Sequence, residues 1–182
     1  MTKILINADD YGLHRNINEG ILECVSAKKV NSISVSSNGH YIDWDQLRAA
    51  QKNGVFIGAH ITLVGQVWGS NEWFFNDWRQ LLKRVIFKKA TFIEKVEEEI
   101  AWQLDQFEKN GIRIQHIDSH QHVHVFPRIW PIIMSAKNAH NIPRVRTPFG
   151  YSMKHIRISI SGLGLHILGG LRNRQISRGG LP

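Results

Sequence analysis

Histidines 116, 120, 122 and 124, four of the ten in the chain, fall within nine residues and share them with Asp118. Imidazole is the commonest metal-binding side chain, and carboxylate is its usual partner. Side chains alternate faces along a strand, so His116, Asp118, His120, His122 and His124 would all point the same way in an extended segment. A soluble core does not bury such groups side by side without a compensating ion or ligand. The pattern predicts a divalent metal site. Its competitor is a histidine-rich tract on a solvated loop.

Two other segments argue for the metal: Asn7-Ala8-Asp9-Asp10-Tyr11-Gly12 and Gly58-Ala59-His60-Ile61-Thr62-Leu63. A catalytic metal takes about three protein ligands and keeps a position open. Asp10, His60 and His120 are the first choice, from three separate segments. A second carboxylate beside the ion can take a proton from water, which makes Asp9 the candidate base. Neighbouring side chains point apart, so two adjacent aspartates can hold different jobs. His122 and His124 are alternatives to His120, or second-layer partners of a ligand. Asp118 orients a histidine, and His116 is structural. Trp68 and Trp73, in an aromatic segment, are candidates for stacking on a sugar ring.

These residues need a scaffold that brings strand ends together. Short apolar runs at Lys3 to Asn7, Ile33 to Ser36, Val55 to Leu63, Arg113 to Asp118 and Val145 to Thr147 read as strands. Helical spacing covers Asn16 to Lys28, Asp43 to Lys52, Thr91 to Asn110 and Pro127 to His140, with Thr91 as a cap for the third. Gly65 to Phe75 reads as a long loop or lid. Strands alternating with helices predict an α/β fold with a parallel sheet, either open or a β/α barrel. In both, chemistry gathers at the carboxyl ends of the strands. Asp9 and Asp10 are expected just after the first strand, His60 at the end of the third and His120 after the fourth.

The length of 182 residues suits one domain, with the motifs confined to residues 3–147 and a basic tail at 151–182 that offers at most one helix, His166 to Arg172. Apolar content of 42% and charged content of 21% are ordinary for a globular protein. Cys24 is the single cysteine, which excludes an intrachain disulfide. The chain shows neither a signal peptide nor a long apolar run, so a cytoplasmic protein without a membrane span is expected. The net charge of +8 is uneven: residues 119–182 hold nine Lys and Arg and no acid. No nucleic-acid motif accompanies them, and no nucleic-acid partner is expected.

The segments Asn7 to Leu13, Gly58 to Leu63 and His116 to Pro127 resemble the YdjC-like carbohydrate deacetylases, which include chitooligosaccharide and hopanoid-biosynthesis types. The resemblance runs from about Lys3 to Thr147. It implies a distorted, TIM-type β/α barrel and removal of an N-acetyl group from an amino sugar or oligosaccharide. It implies ligands at His60 and His120, with Asp10 as the third and Asp9 as the base. Magnesium is the implied metal, and the donor set also suits zinc. The family continues beyond this chain's last residue and carries a His-Pro-Gly-type motif for the general acid, which this sequence lacks. The expectation is therefore a truncated, incomplete barrel whose exposed edge favours a homodimer or poor solubility. The alternatives are a non-catalytic metal-binding remnant and a metal-dependent hydrolase of another class, such as a phosphoesterase.

Overall fold

The computed structural model describes residues 4–87 and 90–147. Among the described residues, four parallel strands form one sheet: β1 (Asn7–Tyr11), β2 (Ser32–Val35), β3 (Phe56–Ile61) and β4 (His116–Ser119). Their spatial order is their chain order. A doubly wound sheet reverses direction at a switch point, whereas a barrel wall adds each strand on the same side. The sequential order is that of a barrel wall. A bridge from Ile117 to Val145 carries the wall one step further.

Among the described residues, five helices connect and cover the strands: α1 (Arg15–Ser26), α2 (Trp44–Lys52), α3 (Trp78–Phe87), α4 (Ala90–Lys109) and α5 (Trp130–Ala139). The start of α2 follows from Asp43, whose carboxylate accepts from the Gln46 amide at 3.0 Å. Likewise Asp77 caps α3 through the amides of Arg79 and Gln80. In α4, Phe92, Val96, Ile100, Leu104 and Phe107 are buried at helical spacing. Thr91 lies inside this helix rather than capping it.

The sheet has two unlike faces. Ile33, Val35, Ile57, Ala59, Ile61 and Ile117 belong to one core cluster with Leu47, Leu104 and Phe107 of the helices. Asn7, Asp9, Ser34, His60, His116 and Asp118 alternate with them and define the other face. This face is polar, and it is the one that carries the candidate site.

Several expectations are corrected. Of the strand expected from Lys3 to Asn7, Lys3 lies outside the described residues and only Asn7 belongs to β1. Ile4 and Ile6 are exposed, and ladder pairing with β2 begins at Asn7. Asp9 and Asp10 therefore lie within β1, not after it. The alternating histidine run also ends early. After Ser119 the chain enters a 3-10 turn, His120–Val125, with Gln121 and His122 in the left-handed region at φ 52° and 55°. His120, His122 and His124 consequently do not continue the face of His116 and Asp118.

The segment Gly65 to Phe75 is not an untethered lid. It folds back on itself through hydrogen bonds from Gly65 N to Phe75 O and from Trp68 N to Trp73 O. Buried Glu99 of α4 then accepts from the amides of Gly69 and Ser70, at 3.2 and 2.8 Å. A side chain at Gly69 would meet the Trp102 ring at 2.2 Å, so this close approach requires glycine. Helix α3 went unread in the sequence, although Trp78, Leu81, Leu82 and Val85 keep helical spacing. The expected helix His166 to Arg172 lies outside the described residues.

Candidate metal centre

A β-bulge in β1 builds the first half of the site. Ala8 pairs with Ile33 and Tyr11 with Val35, so Asp9 and Asp10 together face Ser34 alone. Asp10 adopts φ 72°, a left-handed conformation that aspartate tolerates better than most residues. The bulge removes the alternation that would send adjacent side chains to opposite faces. Both carboxylates come within ligand distance of His60, Asp10 together with His120 and Asp9 together with Asp118, rather than pointing apart as in a regular strand.

Strands β3 and β4 build the second half. His60 and Asp118 are register partners, as are Gly58 and His116. Gly58 makes room: a Cβ there would come within 2.1 Å of Nε2 of His116. His120 follows at the first position of the turn.

The structure brings Asp10, His60 and His120 together, with one potential ligand atom from each lying within 4.8 Å of the others. Oδ1 of Asp10 is 3.1 Å from Nε2 of His60 and 2.9 Å from Nδ1 of His120. Two imidazole nitrogens and a carboxylate oxygen from three chain segments fit the donor chemistry of a single divalent ion. The surroundings add negative charge, since Asp9, Asp10 and Asp118 set three carboxylates against the guanidinium of Arg146.

Each neighbouring proton can be placed by counting donors. Nδ1 of His60 donates to Oδ1 of Asp118 at 2.7 Å, which aims Nε2 at Asp10. The Ser34 hydroxyl has one proton, which goes to Oδ2 of Asp118 at 2.9 Å. Ser34 Oγ must then accept from Asn7 Nδ2 at 2.8 Å and from His116 Nε2 at 3.0 Å. His116 is thus the Nε2–H tautomer, consistent with a structural role. Its Nδ1 is a buried acceptor without a partner among the described residues.

Burial opposes charge on His60, but its hydrogen bonds to Asp10 and Asp118 win and push its pKa up to about 9 in the metal-free protein. The hydrogen bonds from His120 and His60 hold Asp10 well below the ordinary carboxylate range. Asp118 is also held low: burial raises it, and His60 more than offsets that.

His124 is not available as a ligand. Nε2 donates to the Arg146 carbonyl at 2.8 Å, and Nδ1 accepts from Ser119 Oγ at 2.6 Å. Burial lowers its pKa to about 4 and keeps it neutral. His122, in its left-handed turn position, belongs to neither candidate metal-binding group among the described residues. Trp68 cannot stack on a sugar. It is 1% exposed, with its ring packed among Trp73, Phe75 and Phe92 and its indole N–H bonded to Leu63 O. Its aromatic, glycine-rich context suggested a surface loop, but apolar burial prevailed. Trp73 is 37% exposed and stacks on Phe92.

A second group, Asp9, His60 and Asp118, also falls within ligand distance. Arg146 already serves it, with its NH1 nitrogen 2.7 Å from Asp9 and 3.0 Å from Asp118. A guanidinium at that point opposes a second cation. Arg146 carries no local signal in the sequence, because its strand is only a single bridge and its partners lie 28 and 137 positions away.

Residues 3–176 match the family described as YdjC-like protein. The chain belongs to the YdjC-like family. It is 29% identical over 174 residues to a carbohydrate deacetylase of Brevibacillus brevis, covering 92% of this chain and 70% of that one. It is 32% identical over 139 residues to a chitooligosaccharide deacetylase of Escherichia fergusonii, covering 72% and 54%. This YdjC-like chain thus spans between about half and two thirds or slightly more of the relatives it matches. Its fold is similar to that of a putative cellobiose-phosphate cleavage protein from Enterococcus faecalis V583, with a TM-score of 0.62 at 23% identity over 90% of this chain and 63% of the other. No helix among the described residues is long and apolar enough to cross a membrane.

Proposed function

We propose that this chain is a metal-dependent carbohydrate deacetylase that hydrolyses the N-acetyl group of an amino sugar or oligosaccharide and releases acetate. The observation that carries this reading is the convergence of Asp10, His60 and His120 at the carboxyl ends of the strands, with Asp9 beside them. The names of the relatives point to the same substrate class.

Nε2 of His60, Nδ1 of His120 and a carboxylate oxygen of Asp10 would hold the ion, magnesium by family resemblance or zinc by donor chemistry. When bound, the ion supplies Lewis acidity toward an amide carbonyl and lowers the pKa of water. Asp9 is the base: Oδ1 takes hydrogen bonds from Asn7 and Arg146, both at 2.7 Å, while Oδ2 takes none from the described residues. That oxygen is free to accept the proton of the attacking water. Asp118 keeps the His60 tautomer that presents Nε2. Trp73 is the partly exposed ring of the hairpin that remains for contact with sugar.

A phosphoesterase with two metal ions is disfavoured by Arg146, which stands between the carboxylates that a second ion would need. A substrate panel tests the assignment. Acetate from N-acetylglucosamine oligomers, and no inorganic phosphate from sugar phosphates, is the expected result. Phosphate without acetate would overturn it.

A further inference from the structure

We infer that Arg146 is a positioning residue for the deacetylation reaction, aligning the base Asp9 with the His60 side of the metal centre through one shared guanidinium nitrogen. The inference rests on the deacetylase reading and adds a residue to it. NH1 of Arg146 divides its two protons between Oδ1 of Asp9 at 2.7 Å and Oδ2 of Asp118 at 3.0 Å. Two carboxylates that would otherwise repel are thereby bridged by one nitrogen. Asp118 passes the constraint to His60 at 2.7 Å. Asp9 Oδ1 is fixed from its other side by Asn7 at 2.7 Å, and the same amide group reaches Ser34 at 2.8 Å.

The backbone of Arg146 is located independently of its side chain. Its N–H donates to Ile117 O at 2.9 Å, and its carbonyl accepts from Nε2 of His124 at 2.8 Å. His124 is itself held at both ends by Ser119, through Nδ1 at 2.6 Å and its own backbone amide at 3.0 Å. The turn that delivers His120 therefore also anchors the residue that aims Asp9. The Arg146–Asp9 pair is open to water on both sides and adds little to folding stability, whereas Asp118 is buried and Arg146 also offsets its charge. The Asp9 contact therefore serves alignment rather than stability. Lysine keeps the charge, but its freely rotating ammonium lacks the fixed trigonal geometry with which NH1 aims its two protons.

The test compares wild-type protein with R146A and R146K by acetate release from N-acetylglucosamine oligomers, by thermal melting, and by crystal structures of the metal-free proteins. R146A should lose about 100-fold in kcat, the scale of a misplacement of about 1 Å, with KM within about threefold. Its melting temperature should fall by only a few degrees, from the loss of the contact to buried Asp118, and added guanidinium should restore part of kcat. R146K should recover only part of the loss. In the R146A crystal structure, the Asp9 carboxylate should move by about 1 Å relative to His60. An R146A variant with wild-type kcat overturns the inference, as does one that loses kcat only in parallel with its fold and without rescue by guanidinium. An inactive wild type sinks the deacetylase reading instead. In that case the crystal structure still decides: an unmoved Asp9 refutes the alignment role.

Discussion

Asp118 accepts a 2.7 Å hydrogen bond from Nδ1 of His60, and this one bond turns Nε2 toward Asp10 and the proposed ion. Replacing Asp118 with asparagine keeps the shape and removes the charge that stabilises this tautomer. Affinity for Zn²⁺, measured by calorimetry, should fall by about 10- to 100-fold, the usual cost of losing an outer-layer partner of a ligating histidine. Unchanged affinity would show that Nε2 needs no such orientation.

Metal binding should release protons. His60 in the metal-free protein is pushed up to about 9 and carries a proton on the nitrogen that the ion needs. Between pH 6.5 and 9, affinity should therefore rise with pH, and proton release should appear as a dependence of the calorimetric heat on buffer ionisation enthalpy. Heats that are the same in buffers of different ionisation enthalpy would contradict this.

Acid should weaken the fold through His124. Its folded pKa of about 4 lies below the unfolded value of 6.5, so the unfolded chain binds more protons between these limits. Stability is then fully present above about pH 6.5 and is lost as pH falls toward 4, by on the order of 3 kcal/mol from this residue. His60 does not contribute in this window, because it is protonated both folded and unfolded. Urea midpoints measured from pH 7 to pH 4 should fall, and the fall should be smaller in His124→Gln. An equal fall in the variant would assign the effect to other groups.

Much of this was readable in the chain. The β/α alternation and the convergence of Asp10, His60 and His120 follow from residue type, period and order. What was not readable depends on partners distant in sequence or on local backbone departures. The bulge at Asp10 requires the β2 register, which no local pattern announces. The left-handed turn at Gln121 and His122 broke a strand alternation that the histidine spacing suggested. Trp68 went inward because the hairpin is fastened to Glu99, 31 positions later by residue number. The pairing of Arg146 with Asp9 joins opposite ends of the described chain.

Gly58 and Glu99 test the supports of the site. In Gly58→Ala the new methyl group collides with His116, and overpacking of this kind costs about 1–3 kcal/mol by urea denaturation. Glu99→Ala leaves the amides of Gly69 and Ser70 without their acceptor, at about 1–3 kcal/mol. Hydrogen exchange at those two amides should accelerate, while Zn²⁺ affinity stays at the wild-type value. Slow exchange in the variant would mean that the hairpin is held by its aromatic packing instead.

The most direct test of the account is acetate release from N-acetylglucosamine oligomers by the 182-residue chain, after chelation and then with Mg²⁺ or Zn²⁺ restored, beside His60→Ala and His120→Ala. The account predicts release that stops on chelation, returns with the metal and is absent from both variants. Release that persists without metal or in either variant would contradict it, as would silence from wild-type protein that binds the ion.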